Sequence, residues 1–256
     1  MRDLEGTFGT APFSGDAKVE RIGALMRAAL GDADLDEGIL RWRRLVGIDA
    51  MGTPEEAELA KLFTNTWRYM KFAMANQFFT IAQDAGADYT RILAAIKTDY
   101  PRAKDLPGPG FAAGPCLLKD TMQLAAFTPD HFPLGHSAMQ VNEGMPAWVV
   151  STMEARYGSL EGRSIALLGM AFKAEIDDTR ASLSYKLKNE LMSHAREVLT
   201  TDPYVTTDPT LLPLDEVIAR SDVLIVCTPH RSYKAADLKG KPVVDVWGLL
   251  ENANVV

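Results

Sequence analysis

Apolar residues recur at helical spacing over Ser14–Leu30, at Val19, Ile22, Leu25, Met26 and Leu30, and Gly31 stops the run. Only a short candidate strand, Thr7–Phe13, precedes it, and Asp32–Met51 mixes charged and apolar positions without a period. One strand and one helix cannot close a core, so this stretch docks on the later part of the chain or belongs to a domain of its own. The next pattern is far longer. Thr53-Pro54-Glu55-Glu56 reads as an N-cap hydroxyl, a first-turn proline and a glutamate three residues after the cap. No breaker interrupts the chain until Gly86, which predicts a helix of about 32 residues, roughly 48 Å long. Its apolar positions, among them Leu59, Leu62, Phe63, Met70, Met74 and Ile81, cover more than one face. That distribution predicts burial on several sides, as at the centre of a dimer, with Trp67, Phe72, Phe78 and Phe79 read as core.

Asp88 then caps a shorter helix over Tyr89–Lys97, which ends before Pro101. Further helices are predicted from Cys116 to about Phe127 and from near Gly135 to Tyr157, the second interrupted by Gly144 and Pro146. Beyond residue 158 the period changes. Ser164–Gly169 is a run of aliphatics ending in glycine, as a strand buried on both faces requires. Helices over Ser182–Ala195 and Leu214–Arg220 alternate with strands at Val198–Thr200, Val223–Cys227 and Val243–Val246. Such alternation predicts a Rossmann-like parallel sheet covered on both faces, with ligands at the carboxyl ends of its strands, near Phe172, Lys173 and Thr228. The expected architecture is therefore α/β. Residues 1–52 are a fragment, 53–157 a helical domain built on the long helix, and 158–256 the sheet domain.

Composition narrows the function classes. With 256 residues, 47% hydrophobic and 24% charged, the chain has enough apolar material for more than one core. A net charge of -7 argues against a nucleic-acid partner or an anionic membrane surface. No run approaches bilayer length and Met1–Gly6 has no signal-peptide character. Two cysteines, Cys116 and Cys227, are too few for a disulfide framework, so a cytoplasmic protein with free thiols is expected. His131 and His136 stand at no metal-ligand spacing with other candidates, and no metal is expected.

Candidate chemistry concentrates in Gly108-Pro109-Gly110-Phe111-Ala112-Ala113-Gly114-Pro115-Cys116-Leu117-Leu118-Lys119-Asp120. A thiol at the end of a Gly/Pro loop and the start of a helix has its thiolate favoured by the helix dipole and a nearby cation. Asp120, one turn on, can handle protons at whatever the sulfur attacks. The competing reading is a small apolar cysteine packed beneath a loop. Lys61 and Asn65 lie four apart and share a face of the long helix, where a lysine and an amide aimed at one point can steady an oxyanion; the plain alternative is a solvated stripe. Cys227, within Val223-Leu224-Ile225-Val226, reads as core. No Gly-x-Gly-x-x-Gly motif comes after any predicted strand, so the sheet carries no dinucleotide fingerprint.

Taken in order, Ala57–Thr66, Gly114–Asp120 and Gly169–Lys173 leading to Asp178-Thr179-Arg180 resemble the UDP-glucose/GDP-mannose dehydrogenase family. Asp202-Pro203-Tyr204-Val205 and Thr228-Pro229-His230 are lesser matches. The resemblance implies NAD-dependent oxidation of a nucleotide-sugar C6 alcohol, of the UDP-glucose or UDP-N-acetylmannosamine type, to a uronate. Cys116 would form a thiohemiacetal and then a thioester, Asp120 would help activate water, and Lys61 and Asn65 would steady oxyanions. It further implies substrate contacts by Arg102, Gly110, Phe111, Phe172 and Lys173, a cofactor contact by Arg180, and a homodimer through the long helix. Three features depart from the family pattern. The loop before Cys116 is a residue longer, Trp247 stands where many relatives have a substrate-binding arginine, and the N-terminal NAD-binding domain is matched only by its last strand and helix, roughly residues 1–52. The chain alone is accordingly expected to have little dehydrogenase activity. Two other readings are a non-catalytic module that binds a nucleotide sugar and dimerises, and a long-helix dehydrogenase of the hydroxyacid type, which lacks a nucleophilic cysteine.

Overall fold

The computed structural model describes residues 54–127 and 131–250, with side chains from Glu58 onward. The strand and helix expected within residues 1–52, and the Thr53 cap, lie outside the described residues. Helix α1 runs Pro54–Asp84 and α2 runs Tyr89–Lys97. A one-turn 3-10 helix, Pro101–Ala103, leads into the glycine-rich loop, which delivers the chain to α3, Leu117–Phe127, and α4, Pro133–Tyr157. The chain divides into two compact units, Met1–Thr64 and Asn65–Val256. Of the first, only the opening turns of α1 are described.

Local chemistry accounts for these elements. The Asp88 carboxylate accepts the N–H groups of Thr90 and Arg91, satisfying two donors that open α2. α4 departs from expectation. It passes through Gly144 and Pro146 as one helix of 25 residues. Pro146 is buried, so packing outweighs the backbone hydrogen bond that its ring removes.

The remainder is a four-stranded parallel sheet: β1 Ser164–Leu168, β2 Glu197–Thr201, β3 Val223–Val226 and β4 Val243–Asp245, in the order β2-β1-β3-β4. Helix α5, Leu183–Leu191, connects β1 to β2, and α6, Leu214–Arg220, connects β2 to β3. The register pairs Leu168 with Thr201 on one side and with Val226 on the other. Alternate residues face two separate cores. Ile165, Leu167, Val223, Ile225 and Val244 pack with Met145, Val149 and Met153 of α4 and Leu183 and Leu187 of α5. Ala166, Leu168, Leu224, Val226 and Val243 pack with Val217 and Ile218 of α6. The continuous aliphatic runs reflect that two-sided burial. After β1 the chain goes first to β2 on one side, then to β3 on the other. The strand order therefore reverses at the β1/β3 boundary, the switch point at whose carboxyl ends such sheets bind ligands. The loops after β1 and β3 supply Phe172, Lys173, Thr228 and His230 to that edge.

The aromatics of α1 are not all core. Phe79 is buried and Phe72 half-buried, but Trp67 is 53% and Phe78 42% exposed. Together with Met74 and Ile81 they form an exposed apolar stripe along one side of the helix, outside the core of the described residues. Cys227 is core, as expected: fully buried, with its thiol raised far above the ordinary range by desolvation.

Candidate active site

The loop Gly108–Pro115 ends at an exposed Cys116, whose carbonyl accepts the first α-helical hydrogen bond of α3, from the Asp120 N–H at 2.9 Å. The sulfur thus stands at the positive end of a helix dipole, one turn from a carboxylate. Asp120 is fully buried, and its Oδ2 accepts from Asn65 Nδ2 at 2.6 Å. Beside it, Thr121 Oγ1 donates to the Leu117 carbonyl at 2.8 Å and lies 3.4 Å from Thr66 Oγ1. Cys116, Asp120 and Asn65 are therefore brought together by a helix start and a cross-helix hydrogen bond. Lys61 is exposed, one turn before Asn65 on α1.

From the sheet, Phe172 reaches the same loop. A Cβ on Gly114, whose φ is +113°, would lie 2.8 Å from the Phe172 ring, so ring and loop backbone are in direct contact. The Phe172 N–H donates to the Asp178 carbonyl at 2.9 Å. Arg180 grips the Asp178 carboxylate through Nε and a terminal nitrogen, at 3.0 and 2.7 Å, and holds that carboxyl below its usual range. The guanidinium's own pKa is raised first by that hydrogen bond to Asp178, with a smaller electrostatic contribution from nearby Cys116. Arg180, expected beside a cofactor, thus stands within electrostatic reach of the thiol. Lys173 is exposed, Phe111 and Gly110 are buried, and Arg102 is exposed in the 3-10 turn. Among the described residues, no contact joins Arg102 to the Cys116 group.

A second polar cluster, which the sequence did not reveal, fixes the loop after β1. Asp202 Oδ2 accepts the N–H groups of Met170 and Ala171, and Oδ1 those of Tyr204 and Val205. Buried His230 places Nε2 3.1 Å from Asp202 Oδ2, while its Nδ1 accepts the Glu175 N–H at 3.0 Å; these partners assign the ring proton to Nε2. Burial alone would raise the Asp202 carboxyl. The His230 and backbone hydrogen bonds outweigh it and hold the group at about 2. Thr228 Oγ1 donates to the Ala171 carbonyl at 2.6 Å and completes the anchor. Thr228, His230 and Asp202 fall in stretches that the family resemblance marks, but their convergence requires the parallel sheet to form.

A thiol-bearing loop among the helices thus lies against the loop that follows β1 at the switch point of a parallel sheet, the arrangement of an α/β domain joined to a helical one. The central-domain model of the UDP-glucose/GDP-mannose dehydrogenase family matches residues 55–144, and the UDP binding domain model of that family matches residues 166–252. The chain belongs to the UDP-glucose/GDP-mannose dehydrogenase family. It is 33% identical to UDP-N-acetyl-D-mannosamine dehydrogenase of Pyrococcus horikoshii over 191 residues, 71% of this chain and 44% of that one. The corresponding enzyme of Methanococcus maripaludis is 30% identical over 211 residues, 77% of this chain and 49% of the relative. Among solved structures, a UDP-glucose dehydrogenase from Pyrobaculum islandicum superposes with a TM-score of 0.71 at 27% identity, covering 79% of this chain and 50% of the other. The chain thus spans about half the length of the relatives it matches. Among the described residues, no helix is long and apolar enough to cross a membrane.

Proposed function

We propose that this chain supplies the thiol and the nucleotide site of an NAD-dependent nucleotide-sugar 6-dehydrogenase that oxidises a UDP-sugar C6 alcohol to the uronate. The observation that carries the reading is the exposed Cys116 at the start of α3, with the buried Asp120–Asn65 pair one turn away. In the steps assigned to these residues, the sulfur adds to the carbon of a C6 aldehyde and the thiol proton passes to the carbonyl oxygen, giving a thiohemiacetal. One Asn65 Nδ2 hydrogen is committed to Asp120, and the second supports the developing oxyanion. In the later hydrolysis of the acyl–sulfur bond, Asp120 takes a proton from the attacking water and the thiol is regenerated. The oxyanion role of Lys61 rests on its motif spacing from Asn65.

The nucleotide is assigned to the β1/β3 switch point, with Phe172 and Lys173 as its contacts, and buried Gly110 and Phe111 stay as substrate contacts on the family pattern. Arg102 stays in this reading as a contact to the sugar nucleotide on the family pattern alone. NAD would supply the hydride acceptor, and Arg180 stays as its contact on the family pattern. The exposed apolar stripe Trp67, Met74, Phe78 and Ile81 supports a homodimer along α1.

Calorimetry with UDP, UDP-glucose and UDP-N-acetylmannosamine tests the nucleotide site, and alkylation of Cys116 with and without a UDP-sugar 6-aldehyde tests the thiol. Saturable UDP binding with aldehyde protection of Cys116 is expected. A chain that binds no UDP, or whose Cys116 alkylates equally fast with the aldehyde present, contradicts the reading.

A further inference from the structure

The loop that carries Cys116 is held by a side chain far from it in sequence. Asn76 of α1 is fully buried, and both ends of its amide meet one residue: Nδ2 donates to the Gly110 carbonyl at 3.0 Å, and Oδ1 accepts the Gly110 N–H at 2.8 Å. This is the exchange a neighbouring β-strand residue would make, performed by a side chain. The second Nδ2 hydrogen goes to Asn142 Oδ1 at 2.9 Å, and Asn142 Nδ2 donates to the Tyr69 carbonyl at 3.0 Å. Asn142 is also fully buried. The chain of donors leaves one orientation for each amide, so the pair cannot relax by flipping. On its other side Gly110 meets Trp247. With φ at +140°, a Cβ there would lie 2.4 Å from the indole ring, and the ring is pinned by Nε1 donating to the Cys227 carbonyl at 3.0 Å.

We propose that Asn76 is a positioning residue for the thiol: by clamping Gly110 against Trp247 it fixes the direction in which the loop presents Cys116 to a substrate carbonyl. The proposal rests on the reading of Cys116 given above. Gly114, four residues on, lies under Phe172, so the loop between the two clamped glycines has little freedom and ends two residues before Cys116. Asn76 touches no reacting atom. Its loss should impair capture of an aldehyde by the sulfur while leaving intact the nucleotide site assigned to the loops after β1 and β3.

The test compares the full 256-residue chain with its Asn76→Leu and Asn76→Asp variants. Three quantities are measured: the thermal midpoint, UDP affinity by calorimetry, and the rate of Cys116 alkylation by iodoacetamide with and without a saturating UDP-sugar 6-aldehyde. Reversible thiohemiacetal formation removes the free thiol, so the wild-type chain should be protected at least tenfold. Asn76→Leu should keep UDP affinity within about threefold and lose most of that protection. Asn76→Asp, which can still accept the Gly110 N–H but cannot donate to its carbonyl, should fall between. A merely structural asparagine would lower the midpoint and UDP affinity together and leave protection in proportion to the bound fraction. That pattern, or full protection in Asn76→Leu, overturns the proposal. Absence of protection in the wild-type chain overturns the role of Cys116 and this proposal with it, and so is distinguishable from failure of Asn76 alone.

Discussion

At the residue scale, the candidate site depends on buried polar groups whose partners are supplied by other elements. Asp202 is the clearest case, because its side chain is fully buried and its carboxyl is held at about 2, against 3.8 for the unperturbed group. Its folded-state value is depressed, so the stabilisation is complete above the unfolded value and is lost as pH falls through the folded one. The shift corresponds to about 2 kcal/mol. Asp202→Asn should therefore lose at least about 2 kcal/mol at neutral pH, and its urea midpoint should change less than the wild-type midpoint between pH 5 and pH 2. Gly110→Ala places a methyl inside the Trp247 ring on a left-handed backbone, and a loss of about 1–3 kcal/mol is expected in the same measurement. The Cys116–Asp120 relation could be read from the sequence because it is a single helical turn. The Asn65–Asp120 bond spans 55 positions, and the Asn76–Gly110 and Asn76–Asn142 bonds span 34 and 66. No local period encodes such partners, and only α1, α3 and α4 packed together bring them within reach.

At the scale of elements, the chain's punctuation specified most of the described fold. Pro54 opens α1, Asp88 caps α2, and the aliphatic runs become strands buried on both faces. Asp88→Ala removes the carboxylate oxygen that accepts two N–H groups and should destabilise by about 1 kcal/mol, read as a shift in denaturation midpoint. Two readings failed for physical reasons. The breaker signal at Gly144 and Pro146 was overridden by burial of that face of α4, where Asn142, Met145, Pro146 and Val149 all lie inside. The aromatics of α1 were read together as core, but hydropathy alone does not say whether a stripe packs on its own chain or on another. Self-association can be tested directly. If the stripe is a homodimer face, Trp67→Glu and Phe78→Glu should shift the chain to monomer in sedimentation, with UDP affinity retained. A chain already monomeric at micromolar concentration would rule out the homodimer.

At the scale of the whole molecule, Asn65–Val256 joins a helical part that carries Cys116 to a sheet whose switch point faces it. Two loop glycines beneath Trp247 and Phe172 make that junction. The family resemblance could be read from ordered motifs, and the two family models match the same regions. Motifs carry no information on which amides Asp202 occupies or how the loop is clamped. The proposed chemistry stands on Cys116 capturing a nucleotide-sugar aldehyde as a covalent adduct. That capture is seen most directly in the carbon-13 spectrum of a UDP-sugar 6-aldehyde labelled at C6 and mixed with the full chain. A thiohemiacetal carbon resonance is expected with the wild-type chain and none with Cys116→Ser, while both bind UDP equally. A spectrum in which the labelled carbon remains aldehyde and hydrate with both chains, despite bound nucleotide, would contradict it.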